Sequence, residues 1–275
     1  MRKKILVPTD FSTNALYAAR YACQIAKQND YDIHLFHCYT TSTATDAENS
    51  TQLKADVLMQ ELKDQLAKDF PTIAIESECV SRFLTDVLPE YAVAPTFVLI
   101  VMGTTGVGKG KSVIWGSNTS FITSNSKIPV IAIPSGAETF SANHTAILTN
   151  FKAEEIETLN NYINYVSPIK NLDIIHIYRD NKKEKDVKQQ LTDWTFNIKQ
   201  LSDIETINIV AQPIQNDNVH LDTVPEVINH IIDTNNYEMI LVTKTRKSFF
   251  ERIFSTSVSR EITLQLHKPT FFDNI

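Results

Sequence analysis

The chain reads as two consecutive α/β domains, each a parallel sheet covered by helices on both faces. Three observations predict this. Short apolar runs alternate with segments whose apolar residues recur at helical spacing, and strand alternating with helix builds a parallel sheet. The pattern restarts after a polar linker at 134–143, and Asp10-Phe11, Ile100-Val101 and Pro129 each fall 140 positions before Asn150-Phe151, Ile240-Leu241 and Pro269. Five of the six glycines lie between Gly103 and Gly116, directly after an apolar run, so one loop holds nearly all of the chain's permissive backbone and is expected to need unusual geometry.

In the first half, Lys3 to Pro8 is a strand that ends in Pro8-Thr9-Asp10-Phe11-Ser12, where Ser12 or Asp10 is placed to cap a helix. Ala15, Ala18, Ala19, Ala22, Cys23 and Ala26 give that helix a small-residue stripe that lets it lie close on a sheet. Ile33 to Cys38 is the second strand. Residues 39–50, rich in Thr, Ser, Ala and Asn, are expected as an exposed loop, followed by a helix over Thr51 to Lys68. Thr72 to Cys79 alternates as a strand toward the sheet edge, and Phe83, Val87 and Leu88 belong to a third helix. A buried strand over 97–102, a helix over about 116–126 and a strand from Ile128 to Ile133 complete the domain. The second half repeats this with helices near 152–166, 182–201 and 222–234 and strands at 172–178, 204–211, 238–243 and 269–272.

Composition removes several function classes. The formal net charge of -6 gives no global basic field, so neither nucleic acid nor an anionic membrane is an expected partner. No apolar run approaches the roughly 20 residues of a bilayer span, and Ile5-Leu6-Val7 is cut short by Pro8, so the start is no signal peptide and a cytoplasmic protein is expected. Cys23, Cys38 and Cys79, widely spaced without a CxxC, read as core residues rather than a disulfide framework or zinc knuckle. His34, His37 and His176 lack a carboxylate cluster at ligand spacing and read as core or strand-end histidines, not metal ligands. Ser117 has no identifiable base, and Gly103-x4-Gly108-Lys109-Gly110 misses a Walker A loop because Gly110 stands where a magnesium-binding Ser or Thr is required. Glu154, Glu155 and Glu157 read as the acidic first turn of a helix.

What remains is strand, glycine-rich loop, helix start. That order suits an anion, because glycine lets backbone N–H groups approach closely and a helix N-terminus offers unpaired donors. Pro8-Thr9-Asp10-Phe11-Ser12 combined with Gly103-x2-Gly106-x9-Gly116-Ser117-Asn118 closely resembles the universal stress protein family in its tandem two-domain form. The resemblance covers the whole chain, strongly over 1–134 and as a worn pattern over 143–275. It implies a Rossmann-like, adenine-nucleotide-binding fold with parallel strands in the order 3-2-1-4-5, and pairing of two such domains through their fifth strands. It also implies that Asp10 approaches the ribose, that Pro8 and Thr9 line the nucleoside pocket, and that Cys38 contacts adenine through its backbone. Met102 and Gly103 would form the pocket floor, Gly106 would shape the turn around ribose and phosphates, and Gly116, Ser117 and Asn118 would bind phosphate oxygens. The implied cofactor is ATP, with or without magnesium; Lys109 and Lys111 either add charge or are solvated.

The second half departs from this pattern. Leu148 stands for Pro8, Asn150 for Asp10, and residues 243–257 contain no glycine, which hinders close backbone approach. Ser255, Thr256 and Ser257 still offer hydroxyls near Lys244, Arg246, Lys247 and Arg252, but a basic surface loop is the preferred reading over a small-anion site. The expected organisation is residues 1–134 with an intact nucleotide motif and 143–275 with a degenerate one. The expected function is an ATP-dependent switch or sensor in stress response rather than an enzyme; an ATP-independent scaffold with a vestigial loop is the alternative and a slow ATPase the third reading. A dimer of tandem chains is preferred over a monomer whose edge strands pair internally.

Overall fold

Ile5, Leu6 and Val7 are fully buried, and their strand, β1 (Lys4–Pro8), is paired on both sides. The structure is a computed structural model and describes residues 2–40, 45–105, 116–178, 184–215, 223–244 and 267–275. It comprises two units, Met1–Phe140 and Ser141–Asp273. The first runs β1, α1 (Thr13–Asn29), β2 (Asp32–Tyr39), α2 (Thr45–Asp69), β3 (Ile75–Ser81), α3 (Leu84–Tyr91), β4 (Phe97–Gly103), α4 (Ser117–Asn125) and β5 (Val130–Ile133). Its strands are parallel in the order β3-β2-β1-β4-β5.

Strand alternation sorts the side chains between two helical layers. Leu6, Phe36, Ile100, Met102 and Val130 join Leu88 of α3 and Ile122 of α4 in one cluster. The other layer is formed by α1, which packs on β1, β2, β4 and β5 through the buried small residues Ala18, Ala19, Ala22 and Cys23. In such a doubly wound sheet the cleft for a ligand lies beyond the carboxyl ends of the strands where the winding reverses, here between β1 and β4.

The second unit runs β6 (His144–Leu148), α5 (Ala153–Tyr165), β7 (Asn171–Tyr178), α6 (Glu184–Leu201), β8 (Thr206–Pro213), α7 (Val224–Thr234), β9 (Met239–Lys244) and β10 (Thr270–Asn274). Its order, β10-β9-β6-β7-β8, is the same winding. Even the registers correspond: Lys4 pairs with Asp32 as His144 does with Asn171, and Ile5 with Leu99 as Thr145 does with Met239.

The expected elements are present with shifted ends. The main difference is α2, which starts at Thr45 inside the stretch expected as loop; Asp46 and Glu48 are a helix-start signal that the Ser- and Thr-rich composition hid. Strand β3 starts at Ile75 rather than Thr72, after a turn that follows Pro71. Phe83 is the N-cap of α3 rather than part of it, and is exposed. Among the described residues no helix is long and apolar enough to cross a membrane.

Candidate functional site

The turn after β1 is held by backbone strain and an aromatic stack. Phe11 takes φ 60°, the left-handed region that a side chain normally avoids. Its N–H donates to Thr9 Oγ1 (3.0 Å), and its ring lies 4.4 Å from that of His37, whose Nδ1–H donates to the Thr9 carbonyl (2.8 Å). Thr9 N–H in turn donates to the Phe36 carbonyl (2.9 Å). Asp10 Oδ1 accepts from Ser12 N–H (3.1 Å), while Ser12, rather than Asp10, caps α1 by accepting from Ala15 N–H.

Beyond this turn lies a cavity of about 330 Å³. It is lined by Pro8, Thr9 and Asp10 from the end of β1, Cys38 from β2, Met102 and Gly103 from β4, and Gly116, Ser117 and Asn118 from the start of α4. The structure thus brings together nine of the ten residues singled out in the sequence; Gly106 lies outside the described residues, as do Lys109 and Lys111. Ala15, Leu84, Thr105 and Thr119 complete the lining, and sequence reasoning missed all four. Ala15 was visible in the small-residue stripe, but Leu84 and Thr119 carry no motif signal.

The lining combines apolar groups, Ala15, Cys38, Leu84 and Met102, with polar ones at the start of α4. The N-cap of α4 is Gly116, which offers no side chain to its first turn, so the first N–H groups of that helix need an acceptor from elsewhere. Gly116 has φ -63°, which any residue adopts, and among the described residues a Cβ there would meet the Thr104 carbonyl alone, at 3.5 Å. Gly103 has a packing reason instead, since its Cβ would sit 2.7 Å from Asn14 Oδ1. Neither has positive φ, which corrects the expectation of unusual backbone at these two glycines. Cys38 is a neutral part of the wall, because burial pushes its thiol up to about 11.

The second unit builds the same turn, with a much smaller space beside it among the described residues. Phe151 takes φ 63° and packs at a tilt on His176, ring centres 4.4 Å apart, and His176 Nδ1–H donates to the Thr149 carbonyl (2.9 Å). Glu155, 140 positions beyond Ala15, is 2% exposed and folds back onto the turn. Its carboxylate accepts from Asn150 N–H (2.8 Å), Lys152 N–H (3.2 Å) and the Thr149 hydroxyl. Burial pushes its carboxyl above the ordinary carboxylate range, against these hydrogen bonds. Glu155 stands in the acidic first turn of α5, as expected, and is in addition a buried acceptor for the turn that precedes it. Among the described residues, the space bounded by Leu148, Thr149, Asn150, Ile175, Ile177, Val224 and Ile228 is about 10 Å³.

Two further readings change. Lys244 is not in a surface loop: it ends β9, is 7% exposed, and holds its Nζ 5.9 Å from the centre of the Phe272 ring. Arg246, Lys247, Arg252 and Ser255 to Ser257 lie outside the described residues. His34 does have carboxylates beside it, because the β2–β3 register brings Glu76 to 3.5 Å and Glu78 to 3.8 Å. Its pKa is nevertheless lowered, chiefly by burial.

Comparison with known proteins agrees with this architecture. The model of the universal stress protein family matches residues 1–134. A universal stress protein of Methanocaldococcus jannaschii is 30% identical over 138 residues, which are 48% of this chain and 81% of that protein. In fold, the chain is similar to a universal stress protein of Archaeoglobus fulgidus (TM-score 0.66, 14% identity, 98% of both chains). It is also similar to a protein described as a putative universal stress protein of Pseudomonas aeruginosa (TM-score 0.60, 14% identity, 99% and 93% of the two chains). With its doubly wound units and a 30% identical relative matched over most of its length, the chain belongs to the universal stress protein family.

Proposed function

We propose that the N-terminal domain, residues 1–134, binds ATP and works as a nucleotide-dependent switch or sensor in stress response, while the C-terminal domain, 143–275, does not bind it in this manner. The observation that carries the proposal is the contrast between a cavity of about 330 Å³ beside Asp10 and one of about 10 Å³ beside Asn150. The larger falls within the roughly 300–1,000 Å³ of small-molecule sites. Its chemistry fits a nucleotide: an apolar wall for a base, a carboxylate at Asp10 that accepts from sugar hydroxyls, and uncapped N–H donors of α4 for phosphate oxygens. In this reading the backbone of Cys38 meets the adenine, Pro8, Thr9, Met102 and Gly103 enclose the nucleoside, and Gly106, Gly116, Ser117 and Asn118 hold the phosphates. ATP supplies the occupied and empty states of the switch; no residue of the cavity is assigned a catalytic step.

The test is to denature freshly purified protein, identify released small molecules by mass spectrometry, and follow thermal unfolding with and without ATP and magnesium. Co-purified adenine nucleotide or an ATP-dependent rise in Tm is expected. Neither signal would leave the scaffold as the better reading. A dimer of tandem chains belongs to the same proposal, and a monomer mass by sedimentation at micromolar concentration would overturn that part.

A further inference from the structure

Behind the cavity wall lies a buried amide whose hydrogen bonds join the end of β5 to the stem of the glycine segment. Asn14 is 5% exposed. Its Nδ2 donates to the Ile133 carbonyl at the end of β5 (3.1 Å), and its Oδ1 accepts from the Thr105 N–H (2.9 Å) and the Thr105 hydroxyl (3.1 Å). This orientation of the amide is required, since the flipped one would set NH₂ against N–H. The Ile133 carbonyl also accepts from Thr104 N–H (3.0 Å), and the Thr104 carbonyl accepts from Gly116 N–H (2.7 Å). One junction therefore fastens both ends of the segment that runs from Thr105 to Gly116. With its proton given to Asn14, the Thr105 hydroxyl accepts from Ser135 Oγ, 3.2 Å away.

Gly103 shows how tightly the junction is packed: a Cβ there would lie 2.7 Å from Asn14 Oδ1 and 2.9 Å from its Cγ. The second unit has no counterpart among its described residues. Glu154 stands at the position of Asn14 and Thr243 at that of Gly103, and the Thr243 hydroxyl donates to the Thr158 hydroxyl instead (2.7 Å). The Phe–His turn occurs in both units, whereas among the described residues the Asn14 junction occurs beside the open cavity alone.

We propose that Asn14 is a positioning residue for the nucleotide site: it does not line the cavity, but by pinning Thr105 to Ile133 it sets the stem of the 105–116 segment and the aim of the first turn of α4. This rests on the reading of the cavity as a nucleotide site and adds how that site is held in shape.

The test compares the full chain with Asn14→Ala, Asn14→Asp and the pair Asn14→Ala with Gly103→Ala. Titration with ATP is expected to show affinity about tenfold weaker in Asn14→Ala, the scale of one or two lost net hydrogen bonds, in a protein that still unfolds cooperatively. Asn14→Asp is expected to be weak near neutral pH and to recover as pH falls, because a neutral carboxyl is the isostere of the amide; the wild type has no such profile. Gly103→Ala should harm the wild type more than it harms Asn14→Ala, where the clash with the amide is gone and the 3.2 Å approach to the backbone carbon of residue 14 remains. Without ATP, the Thr105 and Gly116 amides of Asn14→Ala should exchange with solvent at least tenfold faster, with the Phe11 amide unchanged. Wild-type affinity in folded Asn14→Ala overturns the positioning role. If the wild type binds no ATP, the nucleotide reading fails separately, and amide exchange decides the junction: faster exchange at Thr105 and Gly116 supports it, and unchanged exchange overturns it.

Discussion

At the ends of β1 and β6 one turn is built twice from the same parts: a threonine whose carbonyl takes a histidine Nδ1–H, and a phenylalanine at positive φ packed at a tilt on that histidine. The residue at the start of the next helix then separates the two. Ala15 lines the cavity of the first unit, whereas Glu155 folds its carboxylate back onto Asn150, Lys152 and Thr149. The strained turn belongs to the fold, because both units keep it. Among the described residues, the opening and the Asn14 junction are the parts that distinguish the N-terminal unit.

Four substitutions test that division. Ala15→Glu copies the stopper into the first unit, and a loss of ATP affinity of about 100-fold or more, roughly 2.7 kcal/mol, is expected by calorimetry with the far-ultraviolet circular dichroism preserved; unchanged affinity would remove the cavity from the account. Glu155→Ala is expected to destabilise the C-terminal unit by roughly 2 kcal/mol, since it leaves two N–H groups and a hydroxyl without their acceptor. It should not create a second ATP site, and urea unfolding together with an ATP titration checks both halves of that statement. Gly116→Leu is expected to weaken ATP about tenfold (about 1.4 kcal/mol) and to change stability by less than about 1 kcal/mol, because its φ of -63° suits any residue and its Cβ has room.

The smallest effect concerns pH. Burial raises the Glu155 carboxyl above its ordinary value, so the folded unit holds that proton more tightly than the unfolded chain. The resulting stability is fully present below the unfolded pKa and is lost as pH rises through the folded one. Wild type should therefore lose stability relative to Glu155→Gln as pH rises from the ordinary carboxylate range. A constant difference between the two would mean that the carboxyl does not titrate there.

The parallel α/β class, the element order and the cavity-lining turn were legible because each has a local signal: strand and helix periodicities, a Pro-Thr-Asp turn and clustered glycines. The strand order and residue roles came only through the family resemblance. What stayed hidden depends on contacts between distant segments. Asn14 looks like one polar residue in an alanine stripe until Ile133 and Thr105 are brought to it, and His34 acquires its carboxylates only through the β2–β3 register. The second role of Glu155, as acceptor for its own turn, was missed for the opposite reason. Acidic residues in a first turn have a sufficient local explanation in the helix dipole, although comparing positions 15 and 155 already shows an alanine replaced by a glutamate.

The most direct test of the central claim is the stoichiometry of ATP binding to the full chain, measured by calorimetric titration with magnesium present. One ATP per chain, lost in Ala15→Glu and retained in Glu155→Gln, is the predicted result. Two per chain, or one that survives Ala15→Glu, would contradict the assignment of the site to the N-terminal unit, and no binding would contradict the nucleotide reading itself.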